Sequence, residues 1–126
     1  MPMATDTERL IEQISSLYLN EKLSDVTIII EGVELPAHSL ILAQRCEYFQ
    51  IMFDSGMIES TSKRIKILET SVEEFKTVLK WVYTGCIHFT SLDNAFKLLR
   101  LAHMYQIKEL IYEAVKYIWV GLENCI

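Results

Sequence analysis

The sequence predicts an α+β domain in which a cluster of helices covers a small sheet. Apolar residues recur at helical spacing through most of the chain, and the stretches that read as strands are few and short. Composition agrees: 51% hydrophobic residues with only four glycines and two prolines in 126 positions describe a packed, helix-rich core. The change of regime falls at His38. Before it the chain runs as strand, turn and strand; after it Leu40, Ile41, Tyr48, Phe49, Met52 and Phe53 are spaced for helical faces.

Taken in order, residues 1–6 read as a disordered leader, and residues 7–120 as one domain. Thr5 and Glu8 have the spacing of a capping box, in which hydroxyl and carboxylate satisfy free helix N–H groups reciprocally. The helix that follows should carry Leu10, Ile11, Ile14, Leu17 and Tyr18 on one stripe. That stripe needs a cover, either the rest of its own domain or a second copy of itself. Residues 25–30 (DVTIII) are β-branched and almost wholly apolar, as in a strand buried on both faces. Glu31-Gly32 supplies a turn and Val33-Glu34-Leu35 the return strand. Pro36 should end that strand or sit on a sheet edge, because it cannot donate to a ladder. The helical pair comes next, then a polar loop over residues 54–64, then a strand over residues 65–68 (IKIL). Ser71 and Glu74 repeat the capping-box spacing ahead of Phe75, Val78, Leu79, Val82 and Tyr83, and Gly85 fits the left-handed position past a helix. Residues 86–89 read as extended. Ser91 caps a helix with Phe96, Leu99 and Ala102 on one face and Leu98, Leu101 and Tyr105 on the other, which predicts burial all round. The last helix spans about residues 107–120.

Several function classes are disfavoured. Twelve basic against seventeen acidic residues, a formal charge of −5, argue against a nucleic-acid surface. No apolar run approaches the ~20 residues of a membrane span. No signal-peptide core follows the first methionine. Cys46, Cys86 and Cys125 have no metal-ligand spacing and read as reduced thiols of a cytosolic or nuclear protein. His38, His88 and His103 are far apart and read as structural. His38 lies at the sheet-to-helix turn, where its ring can bond a backbone group. Glu73-Glu74 suits the first turn of a helix, where the dipole favours negative charge. No nucleophile elbow, Walker loop or dinucleotide fingerprint occurs, so neither enzymatic activity nor a cofactor is expected.

The order D-V-T-I-I-I, then P-A-H-S-L-I-L-A-Q-R-C-E-Y-F-Q-I-M-F, resembles the core of the BTB/POZ domain. W-V-Y-T-G at residues 81–85 and L-L-R-L-A-H-M-Y-Q-I-K-E-L at residues 98–110 extend the likeness, which covers roughly residues 10–126 and is nearest to the BTB–BACK adaptors. The resemblance implies a small sheet capped by α-helical hairpins. It also implies a homodimer formed through the first helix, with Leu10, Ile11, Ile14, Leu17 and Tyr18 at the interface. Asp25 matches a carboxylate that transcription regulators of the family place in a charged pocket at the dimer seam. Its basic partner there is replaced here by Ser39, so Asp25 either caps backbone N–H groups or sits at the seam. Met57-Ile58-Glu59 resembles the apolar-x-acidic triplet of family members that recruit cullin-3. An unbranched Met adapts to a groove on a partner helix, and a Glu at the rim favours a basic one. Phe53 and Tyr105 stand where such adaptors also touch the cullin, and Phe53 fits the core equally well. Residues 121–126 resemble the start of the junction to a BACK domain. The function implied is an adaptor for a cullin-3 ubiquitin ligase; the alternative is a self-association scaffold in transcriptional regulation.

Overall fold

The sheet is built on a single buried strand. The computed structural model describes residues 5–55 and 63–124. Strand β1 (Val26–Ile30) lies between β2 (Val33–Ala37), antiparallel to it, and β3 (Arg64–Ile67), parallel to it. Val26, Ile28 and Ile30 are buried, but Thr27 and Ile29 are only half-buried, so β1 is covered fully on one face, not on both. That is the alternation of a sheet with helices on one side. Glu31 and Gly32 both take positive φ (50° and 78°), which matches the twist of a two-residue hairpin. Pro36 lies inside β2, not past its end. It stands opposite Thr27, whose N–H is directed to the Lys63 carbonyl on the other side, so the missing proline N–H falls on the outer edge. β3 starts one residue earlier than the sequence suggests, and Leu68 is left exposed beyond it.

Helix α1 (Asp6–Ser15) begins with the predicted capping box: Thr5 Oγ1 accepts from the Glu8 N–H at 3.1 Å, and Glu8 Oε2 from the Thr5 N–H at 3.2 Å. Thr5 and Asp6 are thus the cap and first residue of a helix, not leader. Helices α2 (Ser39–Arg45) and α3 (Glu47–Asp54) meet at Cys46, whose extended backbone ends one and starts the other. Arg45 holds this corner to α4 (Val72–Thr84): its guanidinium lies 4.2 Å from the Trp81 ring centroid and its Nε donates to the Val82 carbonyl at 3.1 Å. At the start of α4, Ser71 accepts from the Glu74 N–H, but the carboxylate is supplied by the hairpin tip: Glu31 accepts from the Val72 N–H at 2.7 Å. Gly85 ends α4 at φ 75°. Residues 86–89 carry no regular structure.

Ser91 caps α5 (Leu92–Met104), which packs against α6 (Lys108–Glu123) as a hairpin. Gly121 permits close approach there, since a Cβ would lie 2.6 Å from Leu92 Cδ2. α5 buries Ala95, Leu98, Leu101 and Ala102 but leaves Phe96 exposed, so it is not buried all round. α6 runs three residues past Val120. Ile28, Leu42, Phe49, Phe75, Leu79, Leu98 and Leu110 form one core between the sheet and the helices.

Candidate interaction surfaces

Helix α1 buries none of its residues. Leu10 is 56% exposed, and Ile11 and Ile14 lie open beside it. The predicted stripe divides at Ser16. Leu17 and Tyr18 bond back to the carbonyls of Ile14 and Ser15, three residues earlier, and this tighter turn ends the helix. Leu17 and Tyr18 therefore turn onto the domain's own core. The Tyr18 hydroxyl donates to the Lys76 carbonyl at 3.0 Å, and its ring lies 6.1 Å from that of Tyr83. Burial, with Glu73 nearby, pushes its pKa up. α1, α2 and the end of α4 enclose an open apolar groove of about 510 Å³, lined by Leu10, Ile14, Leu40, Ile41, Val82 and Tyr83. Leu40 on its rim is 73% exposed. Apolar side chains gathered round a concave surface are the kind of patch that marks an interface.

Beneath the groove lies a polar knot. Asp25 Oδ1 accepts from the Ser39 N–H at 2.7 Å, and the Ser39 hydroxyl donates to Oδ2. His38, the residue at the cap position of α2, makes no side-chain capping bond, so Asp25, just before β1, caps the helix instead. Burial pushes the Asp25 carboxyl up. The Ser39 hydroxyl and amide, its own backbone and Lys63 outweigh that and hold it below its ordinary value. The capping role that the sequence left open is therefore present. His38 is buried and fully engaged. Its Nε2 lies 2.7 Å from the Lys22 carbonyl, its Nδ1 2.7 Å from the Tyr83 hydroxyl, and its N–H donates to that hydroxyl at 3.0 Å. A carbonyl can only accept, so Nε2 donates to Lys22, and in the tautomer with its only hydrogen there Nδ1 accepts from Tyr83. Burial pushes the Tyr83 hydroxyl up to about 12.

The residues matched to cullin contact separate. Met57 and Glu59 lie outside the described residues. Phe53 is half-buried, packed on the core with its ring stacked 6.2 Å from Phe49. Tyr105 is a correction: only 3% exposed, it is a core residue and offers no side-chain surface. Its ring stacks on Phe49 at 5.7 Å and meets Phe75 and Tyr48 edge-on. Burial raises its pKa against a hydrogen bond with Thr70. The reason is its place just past α5, where it closes the aromatic layer under α3. The aromatic most open at the surface there is Tyr48, which the sequence places on a helical face but not among the contact residues.

The outer face of α6 was likewise missed. Trp119 is 64% exposed, with Tyr112, Val115, Val120 and Leu122 also open. The docking of α5 decides which side of α6 is covered, and helical spacing alone does not. The thiol of buried Cys46 is pushed up to about 12 by burial, with Arg45 opposing and Glu109 adding, so at neutral pH it is no nucleophile. Among the described residues no cluster of His, Cys, Asp or Glu could hold a metal ion, and no helix is long and apolar enough to cross a membrane.

Comparison with known proteins agrees with this architecture. A BTB/POZ domain family model matches residues 14–119. BTB/POZ domain-containing protein 9 is similar at 38% identity in Homo sapiens, covering 85% of this chain and 18% of that protein. In Drosophila melanogaster it is 33% identical, covering 93% and 17%. Human Kelch repeat and BTB domain-containing protein 2 is 26% identical, covering 93% and 19%. The chain thus spans about a fifth of the length of these curated relatives. The fold is also that of the BTB domain of zebrafish PATZ1, with a TM-score of 0.76 at 21% identity over 94% of this chain and 98% of that one. The BTB domain of human Gigaxonin gives 0.76 at 20% identity over 93% and 98%. A sheet of β2-β1-β3 under helical hairpins, matched over most of the chain by these domains and over residues 14–119 by the family model, makes this chain a member of the BTB/POZ family of protein-interaction domains.

Proposed function

We propose that this chain is the homodimeric interaction domain of an adaptor for a cullin-3 RING ubiquitin ligase, with substrate bound by other parts of a longer protein. The observation that carries the dimer is the uncovered stripe of Leu10, Ile11 and Ile14 beside an apolar groove. Two copies related by a two-fold axis would each lay this stripe against the other. The cullin reading rests on the likeness of Met57-Ile58-Glu59 to the family's cullin-recruiting triplet, in the segment that joins α3 to β3, with Phe53 in the last turn of α3 before it. Tyr105 supports that end from inside the core. Residues 121–126 belong to this reading as the start of a junction to a BACK domain, and the exposed apolar face of α6 is surface that further helices would cover. The free thiols of Cys46 and Cys86 suit a cytoplasmic setting, and a nuclear one equally.

The mechanism is geometric. A dimer presents two cullin sites, and tethering raises their avidity through effective concentration. The test is a binding titration of the cullin-3 N-terminal domain against wild type and a Met57→Ala, Glu59→Lys double variant. The expected result is saturable binding that the double variant loses. Equal binding by both removes the triplet from the interface. A dimer indifferent to cullin-3 fits the self-association scaffold of transcriptional regulation instead.

A further inference from the structure

Among the described residues the sheet has an open edge whose chemistry is specific. β3 pairs with β1 on one side only, and among the described residues no strand lies beyond it. The parallel register sets Thr27 opposite Arg64 and Ile29 opposite Lys66, while the Thr27 N–H is directed to the Lys63 carbonyl. In a parallel ladder the residues that bond the neighbour alternate. Residues 63, 65 and 67 therefore face β1, and Arg64 and Lys66 direct their N–H and C=O groups outward. The side chains alternate as well. Ile65 and Ile67 are buried on the core face, and Arg64 and Lys66 are exposed on the other. Arg64 reaches back to Glu34 of β2, whereas Lys66 makes no ion pair among the described residues. The opposite edge is blunted by Pro36.

We infer that the β3 edge is a docking site for an extended acidic segment of another protein, added as a fourth strand. The pleat specifies the occupant. On the face of Arg64 and Lys66 it should carry Asp or Glu, and on the other face apolar side chains continuing the row of Ile65 and Ile67. Charge also decides against a second copy. An antiparallel repeat of Arg64-Ile65-Lys66-Ile67 would set cation against cation across the ladder, which is unfavourable.

The probe is an acetylated octapeptide of alternating valine and glutamate, titrated into the 126-residue chain while amide exchange is followed by NMR. In the free protein the Arg64 and Lys66 amides should exchange quickly. At saturating peptide they should slow about tenfold or more, as amides brought into a ladder do. Arg64→Glu with Lys66→Glu, checked for native circular dichroism, should weaken the peptide about tenfold or more; Lys66→Glu alone, which spares the Arg64–Glu34 pair, should act in the same direction. N-methylation of every second peptide residue should abolish binding in one phase and spare it in the other. Absence of binding, loss in neither phase, or peptide-induced shifts confined to the α1 groove overturns the inference. So does protection of both amides without peptide that grows with protein concentration, which would make the occupant a second copy.

Discussion

Replacing Leu10 and Ile14 with aspartate tests the dimer most directly. In the single copy these side chains are 56% and 39% exposed, together about one fully exposed side chain. Covering one such side chain contributes about 1.5–3 kcal/mol. A two-fold axis uses each position twice, so the pair represents about 3–6 kcal/mol of association. Aspartate also places carboxylates in an apolar seam, which costs further unless water reaches them. A dissociation constant raised by at least about a hundredfold follows, at 1.4 kcal/mol per factor of ten. The fold itself should lose little, because α1 contributes no buried residue to the core. Sedimentation velocity at micromolar protein should show wild type as a dimer and the double variant as a folded monomer with an intact circular dichroism spectrum. A variant that keeps the dimer mass refutes the placement of the interface on α1. A variant that unfolds shows that α1 is needed for the fold itself, contrary to its exposure; the milder Leu40→Asp, on the same rim, then reads the interface alone.

Two further outcomes follow from the polar knot and the aromatic layer. Ser39→Ala should cost about 1 kcal/mol of stability at neutral pH by removing a charge-assisted bond at a partly exposed site. Asp25 is held below its ordinary 3.8, so its contribution is complete above that pH and is lost as pH falls through the folded value. The gap between wild type and variant in urea midpoints should therefore close in acid, and a gap unchanged at pH 2 would deny the bond. Tyr105→Ala should cost about 3–5 kcal/mol, as truncation of a buried aromatic does. Its cullin binding should fall in step with the folded fraction measured by fluorescence; a fully folded variant that has lost binding would put the ring at the surface after all.

The features legible in the sequence were those with local causes. The β-branched run, the Glu31-Gly32 turn, the Thr5 and Ser71 caps and Gly85 each carry their reason within a few residues. The rest depended on long-range packing. Tyr105 reads alike as surface or core until α3 and α4 close over it. Phe96 and Trp119 sit on helices apolar on more than one side, and spacing cannot say which side a neighbour will choose. Leu17 and Tyr18 continue the stripe in register, yet the tighter turn after Ser15 rotates them inward. Asp25 was seen as a charge needing a partner, and the departure at Ser39 supplied it through a hydroxyl instead of a cation.

The two neighbours of β1 reach it on different schedules. β2 follows after a two-residue turn and can zip on as soon as it is made. β3 arrives only after α2 and α3 have been laid down, because a parallel partner requires the chain to travel back across the sheet. Until then one side of Val26-Thr27-Ile28-Ile29-Ile30 stands unzipped, an isoleucine-rich ribbon with no gatekeeping charge inside it. During synthesis this interval, more than any property of the finished domain, is when chaperone protection would count most.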